Sequence, residues 1–469
     1  MITKIAGILG ILCGFFGLSR YGVFNAPIWM LPLVYSIGMF MTSKQTKDMI
    51  MSSPGLFVLN ILMYLRYVMA PFSYYSEGYL STMIHSTQYI YEGLLLMLFE
   101  EIAVFITLYY AGIKYNNKCL KMNSNKQNIY LYSLKLKNGF VILFPVILIA
   151  IYIAITYKSI GQGLNIFIGG SFTNFEDIES HFDNGQGYIN IIWQSVCVWL
   201  YVYLVMREKY KYDNGRGKVP LVRTLLYTIA FIILTFIDTT GITRWYTFVT
   251  SIASLFFIYH LFPNFRRTIL LTVLFPVGAL LFYASLQKNG GYGSNSTDVN
   301  ESIESVFGAT VLDVYCNGLG SVNTVFNVDN GNYDVGTISI FYDALSSMPV
   351  INHFLPKNKM TSVAFHNAIG RNDQIIPMIG QGYLYFGFLF SPILTIISIL
   401  VSRHYDLKYK YDYSFKKYGY AFAAVWFGSV AMSLNLSISF MWIYIRVIPF
   451  LLVLHYTNKF AKKILYPSY

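Results

Sequence analysis

The sequence predicts an all-α polytopic membrane protein of about twelve transmembrane helices. Both termini are expected to be cytoplasmic, with a large extracytoplasmic loop carrying short amphipathic helices. Three observations predict this. Hydrophobic residues make up 55% of the 469 and charged residues only 12%, about half the ~25% of soluble proteins. Apolar runs near the ~20 residues that cross a bilayer recur throughout. The 34 Lys and Arg, set against 22 Asp and Glu, divide by membrane side rather than gathering into one patch. So few charges cannot cover a soluble body of this size, which excludes soluble enzymes, disordered scaffolds and nucleic-acid binders.

Apolar stretches bounded by charge and turn residues place helices at 4–19, 26–42, 54–71, 88–113, 139–157, 187–206, 221–238, 244–262, 268–287, 379–402, 418–435 and 438–457. The first is kept as a helix because Met1-Ile-Thr-Lys4 is weakly basic and no small-x-small cleavage site follows. With the N-terminus inside, 25 of the 34 Lys and Arg fall in inner segments, and every inner loop is basic. Only Asp48, Glu208, Asp213, Asp406 and Asp412 join them there. The net charge of +12 is thus a topology signal, not a nucleic-acid surface.

The chain divides into helices one to nine (1–287), an extracytoplasmic loop (288–378) and helices ten to twelve (379–469). A loop of that length far exceeds ordinary connections and points to function. Asp298 with Glu301 resembles a capping box, and Ile303, Val306, Phe307, Val311 and Val314 then recur at helical spacing. A second short helix is expected at 338–347, before a polar, irregular run from His353 to Pro377. Cys13 and Cys197 fall in helices, Cys119 in an inner loop and Cys316 alone outside, so no intrachain disulfide is expected.

An arginine in mid-membrane costs about 2.5–3.5 kcal/mol to insert, so each needs a reason. Arg66, Arg244 and Arg446 are such residues, and Arg371 approaches from the large loop. A guanidinium stays charged at any working pH and offers a planar donor fork that matches phosphate oxygens. Grouped at the outer leaflet, these four suit a lipid-linked pyrophosphate. The alternative is that each pairs with a carboxylate, for which Glu92, Glu100, Glu101 and Asp238 are available. Glu100 and Glu101 point about 100° apart on a helix, so one partner cannot serve both.

Imidazole titrates near neutrality and can take a proton from a sugar hydroxyl. His366, five residues before Arg371, is the preferred base, ahead of His353; a surface role is the competing reading. The acid–His run Phe175–Asp183 fixes no ligand geometry, so no metal site and no cofactor is expected. GxxxxGK[ST], GxSxG and HExxH are all absent.

The segments LRYVMAP around Arg66, TTGITRW around Arg244 and RNDQIIPMIGQGYLYFGF at 371–388, with a long outer loop before the last three helices, resemble a bacterial oligosaccharide repeat-unit polymerase of O-antigen or capsule synthesis (Wzy-like). The resemblance implies a GT-C-type glycosyltransferase of the bacterial inner membrane, active on the extracytoplasmic side. It implies undecaprenyl-pyrophosphate-linked oligosaccharides as substrates, and a chain-length regulator and a flippase as partners. Arg244 matches the arginine that holds pyrophosphate in that family, joined by Arg371 and Arg446. His366 corresponds to the loop histidine of the related ligases, which not all polymerases keep. Alternative readings are a lipid-linked oligosaccharide flippase and an O-antigen ligase.

Overall fold

The computed structural model describes residues 2–46, 51–80, 88–124, 186–213, 221–238, 241–242, 244–273, 278, 308–331, 333–352, 354–370 and 374–465. Among them the chain is helical, apart from one two-residue antiparallel pair in which Ile237 faces Ile242 and Asp238 faces Gly241. Helices stand where the apolar runs place them: Ile2–Ser19, Met30–Thr46, Pro54–Glu77, Ile90–Ser124, Gln186–Asp213, Leu221–Phe236, Arg244–Leu261 and Lys416–Ser433. Among the described residues three helices, Pro54–Glu77, Ile90–Asn117 and Leu436–Lys459, are long and apolar enough to cross a membrane, and up to five if each of two bent pairs counts as one span. The helix expected at 139–157, residues 158–185 after it and most of 268–307 lie outside the described residues.

The tenth predicted helix, 379–402, is not one rod. Met378–Phe390 and Ile393–Tyr411 meet at 106°. Gly387 adopts φ +73° inside the first piece, a backbone region that glycine enters without penalty. A Cβ at Gly382 would collide with the Ser391 carbonyl, so the fold around the bend requires glycine there.

Two compact units make up the chain. The first takes 1–126, 285–407 and 424–441; the second takes 127–284, 408–423 and 442–469. In the first unit Asp406 caps helix Pro54–Tyr64, accepting from the Gly55 and Leu56 N–H groups at 2.9 and 3.2 Å and from Arg403 at 2.6 Å. That capping satisfies backbone donors that the first helical turn leaves open.

The described part of the long predicted loop, from 308 onward, is folded. It carries helices Ala309–Tyr315, Leu319–Asp329, Ser339–Leu345 and Thr361–Ile369, the second and fourth of which share a core of Val325, Val328, Ala364, Phe365 and Ile369 with Ile376. Helix 339–345 meets the expectation for 338–347, and helix 309–315 covers the described end of the run expected to follow Asp298. Thr361–Ile369 corrects the irregular reading of 353–377, and Leu319–Asp329 was not anticipated. Its Gly, Ser, Asn and Thr residues have poor helix propensity, yet nine of its positions are buried. Gly93 and Gly380 carry no side chain where Asn323 and Val325 press close, so neighbouring helices can approach it. Tertiary burial overrides the local preference.

The second unit is tied by aromatic packing. Tyr201 stacks on Phe231 with ring centres 4.4 Å apart, and Tyr418 meets both edge-on.

Candidate functional site

Arg446 sits in a π-helical turn, Ile443–Val447, within the last helical rod. One extra residue per turn rotates the following side chains, and such bulges recur at functional sites. The Arg446 guanidinium carbon lies 3.8 Å from the centre of the Tyr246 ring and 3.9 Å from that of Trp442. Those rings meet edge to face at 69° with centres 5.5 Å apart, forming a corner into which the buried cation fits. Ring quadrupoles attract a cation held over their faces.

Tyr246 is two residues from Arg244, which begins helix Arg244–Leu261 immediately after the Gly241–Ile242 strand. The fold therefore brings the backbone of Arg244 and the side chain of Arg446 to one locality of the second unit. The positive end of an 18-residue helix is there as well.

Arg66 also lies in a π-helical turn, Leu65–Met69, but its surroundings differ. Fully buried, its Nη2 lies 2.7 Å from Glu100 Oε2, and Nη1 donates to the Met432 carbonyl at 3.1 Å. Glu100 accepts in addition from the Tyr67 hydroxyl at 3.1 Å and from Thr395 at 3.0 Å. The pyrophosphate role expected of Arg66 is therefore corrected. A guanidinium with zero exposure, neutralised by a carboxylate, presents nothing to a ligand, and the carboxylate alternative is the one the fold adopts. Glu101, the next residue along the helix, is also fully buried.

His366 is half-buried on helix Thr361–Ile369, its Nε2 2.7 Å from the Gln374 carbonyl. A carbonyl only accepts, so Nε2 carries the proton and Nδ1 is left as the basic nitrogen. Arg371, His353 and the Phe175–Asp183 run lie outside the described residues.

Two buried carboxylates absent from the sequence-derived set organise this region. Asp343 accepts from Thr361 Oγ1 and the Tyr385 hydroxyl, both at 2.5 Å, and from the Thr361 N–H at 3.2 Å. Gln381 joins the cluster: its Nε2 donates to Thr361 Oγ1 at 2.8 Å, and its Oε1 accepts from the Leu436 N–H at 2.7 Å. The Gln381-Gly382-Tyr383 run is thus a junction between helices. Asp313 accepts from the Tyr74 hydroxyl and from the Gly320 and Ser321 N–H groups, capping helix Leu319–Asp329. Burial pushes its carboxyl up to about 6 against those hydrogen bonds. The sequence held a local clue to Asp313, an acid placed before a Gly-led helix. It held none to Asp343, whose donors come from distant segments.

No protein-family model, curated protein or solved structure matches the chain.

Proposed function

We propose that the chain is a membrane glycosyltransferase that polymerises undecaprenyl-pyrophosphate-linked oligosaccharide repeat units into O-antigen or capsular polysaccharide. The observation that carries this reading is the Arg446 guanidinium held against Tyr246 and Trp442 beside the helix start at Arg244. The uneven distribution of Lys and Arg supports a bacterial inner-membrane location, twelve spans and both termini inside. By the same topology Arg244 and Arg446 lie at mid-depth or toward the extracytoplasmic side.

In the reaction an acceptor sugar hydroxyl attacks the anomeric carbon of the donor glycan. The bond from that carbon to the pyrophosphate oxygen breaks, its electron pair leaves with the pyrophosphate, and the hydroxyl proton passes to a base. Arg244 and Arg446 stabilise the charge that grows on the leaving group. Fixed cations in a low-dielectric setting need no reorganisation as the bond breaks. His366, with Nδ1 as an acceptor, is the group to test as the base, and Arg371 remains a further phosphate ligand.

The test is elongation in liposomes with the authentic lipid-linked repeat unit and no nucleotide sugar. A ladder stepping by one repeat, lost in Arg446→Ala and Arg244→Ala, supports the polymerase. A single unchanged band overturns it, and translocation of the same lipid would then identify a flippase.

A further inference from the structure

Helix Ser339–Leu345 is amphipathic in the opposite sense to a water-facing helix. Ser339 and Asp343, one turn apart, are its buried residues, while Phe341 and the preceding Ile338 are each 66% exposed. The pattern continues past the turn, where Ile351 is exposed and Phe354 reaches 84%. A helix facing water buries its apolar residues and exposes its polar ones. Large apolar side chains outside and a hydrogen-bonded carboxylate inside are what contact with lipid selects.

Hydrogen bonds fix the height of this segment. Ser346 Oγ donates to Ser437 Oγ at 3.3 Å, and Ser437 also lies 3.5 Å from Asp343. Ser437 is the second residue of Leu436–Lys459, one of the helices long and apolar enough to cross a membrane. Thr337 Oγ1 donates to the Tyr385 carbonyl at 2.7 Å, tying the near end to helix Met378–Phe390. The segment is therefore held at the end of a membrane-crossing helix, where the headgroup layer begins. Lys357 and Lys359 follow Phe354 directly on an exposed 3₁₀ turn; Lys359 also lies 3.7 Å from Asp334. An apolar face flanked by lysines matches acyl chains bordered by anionic phosphates.

From this geometry we infer that residues 338–352 and 354–359 form an interfacial anchor, with Ile338, Phe341, Ile351 and Phe354 inserted among the lipids and Lys357 and Lys359 on anionic headgroups. The inference rests on the apolar helices crossing a bilayer, and it does not depend on the glycosyltransferase reading.

The test places an environment-sensitive fluorophore on a single cysteine in the full-length protein, with the four native cysteines replaced. The protein is reconstituted in vesicles of phosphatidylcholine with phosphatidylglycerol. Phe341→Cys and Phe354→Cys replace exposed side chains, so folding is not at stake; Asp334→Cys, 72% exposed, is the aqueous reference. Labels at 341 and 354 are expected to be blue-shifted and quenched by lipids brominated near the headgroup, and the label at 334 by aqueous iodide. Lys357→Glu with Lys359→Glu is expected to reduce the lipid quenching at 354 in anionic vesicles and not in pure phosphatidylcholine. Iodide quenching at 354 equal to that at 334 overturns the inference. So does a blue shift that vanishes on dilution of protein in lipid, which would identify a second copy as the cover.

Discussion

Arg66 and Arg446 share a local geometry, each the buried basic residue of a five-residue π-helical turn within an apolar helical rod. Around Arg66 the fold supplies a carboxylate, a carbonyl and a hydroxyl-rich setting. Around Arg446 it supplies the faces of two aromatic rings. The first arrangement cancels charge and ties helices together. The second sets the cation against ring quadrupoles. An intramembrane arginine is therefore read by its partner, not by its depth or helical setting.

The sharpest way to break the comparison is Arg66→Leu, which leaves Glu100 buried and uncompensated. The expected loss is about 3–5 kcal/mol, and Arg66→Leu with Glu100→Leu is expected to recover most of it. Denaturation of the detergent-solubilised protein measures both, and equal loss in single and double variants would contradict the structural role. Arg446→Ala should do the reverse, holding the melting temperature near that of the parent while elongation falls roughly 100- to 1000-fold, the usual scale for deleting one preorganised charge-stabilising group.

Asp313 extends the contrast within the first unit. Its folded value of about 6 lies above the 3.8 of a free aspartate, so the native state binds the proton more tightly than the unfolded chain. The stability this gives is present in full below pH ~4 and is lost as pH rises through about 6. The gap between folded and unfolded values is worth about 3 kcal/mol. Asp313→Asn should remove that component, seen as a flatter melting temperature between pH 4 and 6; an unchanged slope would count against it.

Smaller effects follow. Trp442→Leu removes one ring from Arg446, a loss of about 0.5–2 kcal/mol or roughly 2- to 30-fold in elongation rate. Ser437→Ala deletes only long hydrogen bonds at 3.3 and 3.5 Å and should cost less than about 1 kcal/mol. A larger loss in melting temperature would show that the Asp343 cluster depends on Ser437.

Much of the fold was legible in the residues. Helix positions follow from runs of apolar side chains, and the Pro54–Glu77 and Ile90–Ser124 helices stand where those runs place them. The break at Gly387 was not legible, because an apolar stretch reads alike whether straight or bent. Helix Leu319–Asp329 escaped because its stability comes from the helices packed on it and not from its own Gly, Ser and Asn residues. Of the candidate site, the sequence marked Arg66, Arg244, Arg371 and Arg446 as costly to bury, and its list of available acids included Glu100. It could not say which arginine that acid meets.

What the sequence determined by itself was the helical, membrane-compatible class and the arginines that burial makes expensive. Both are properties of contiguous residues and of transfer from water, so they need no knowledge of neighbours. Tertiary structure alone decided that Glu100 meets Arg66, that Tyr246 and Trp442 meet Arg446, and that Asp343 is enclosed while Phe341 is left outside. Each of those outcomes depends on segments distant along the chain arriving at contact distance, where hydrogen bonds and ring contacts act over only a few ångströms.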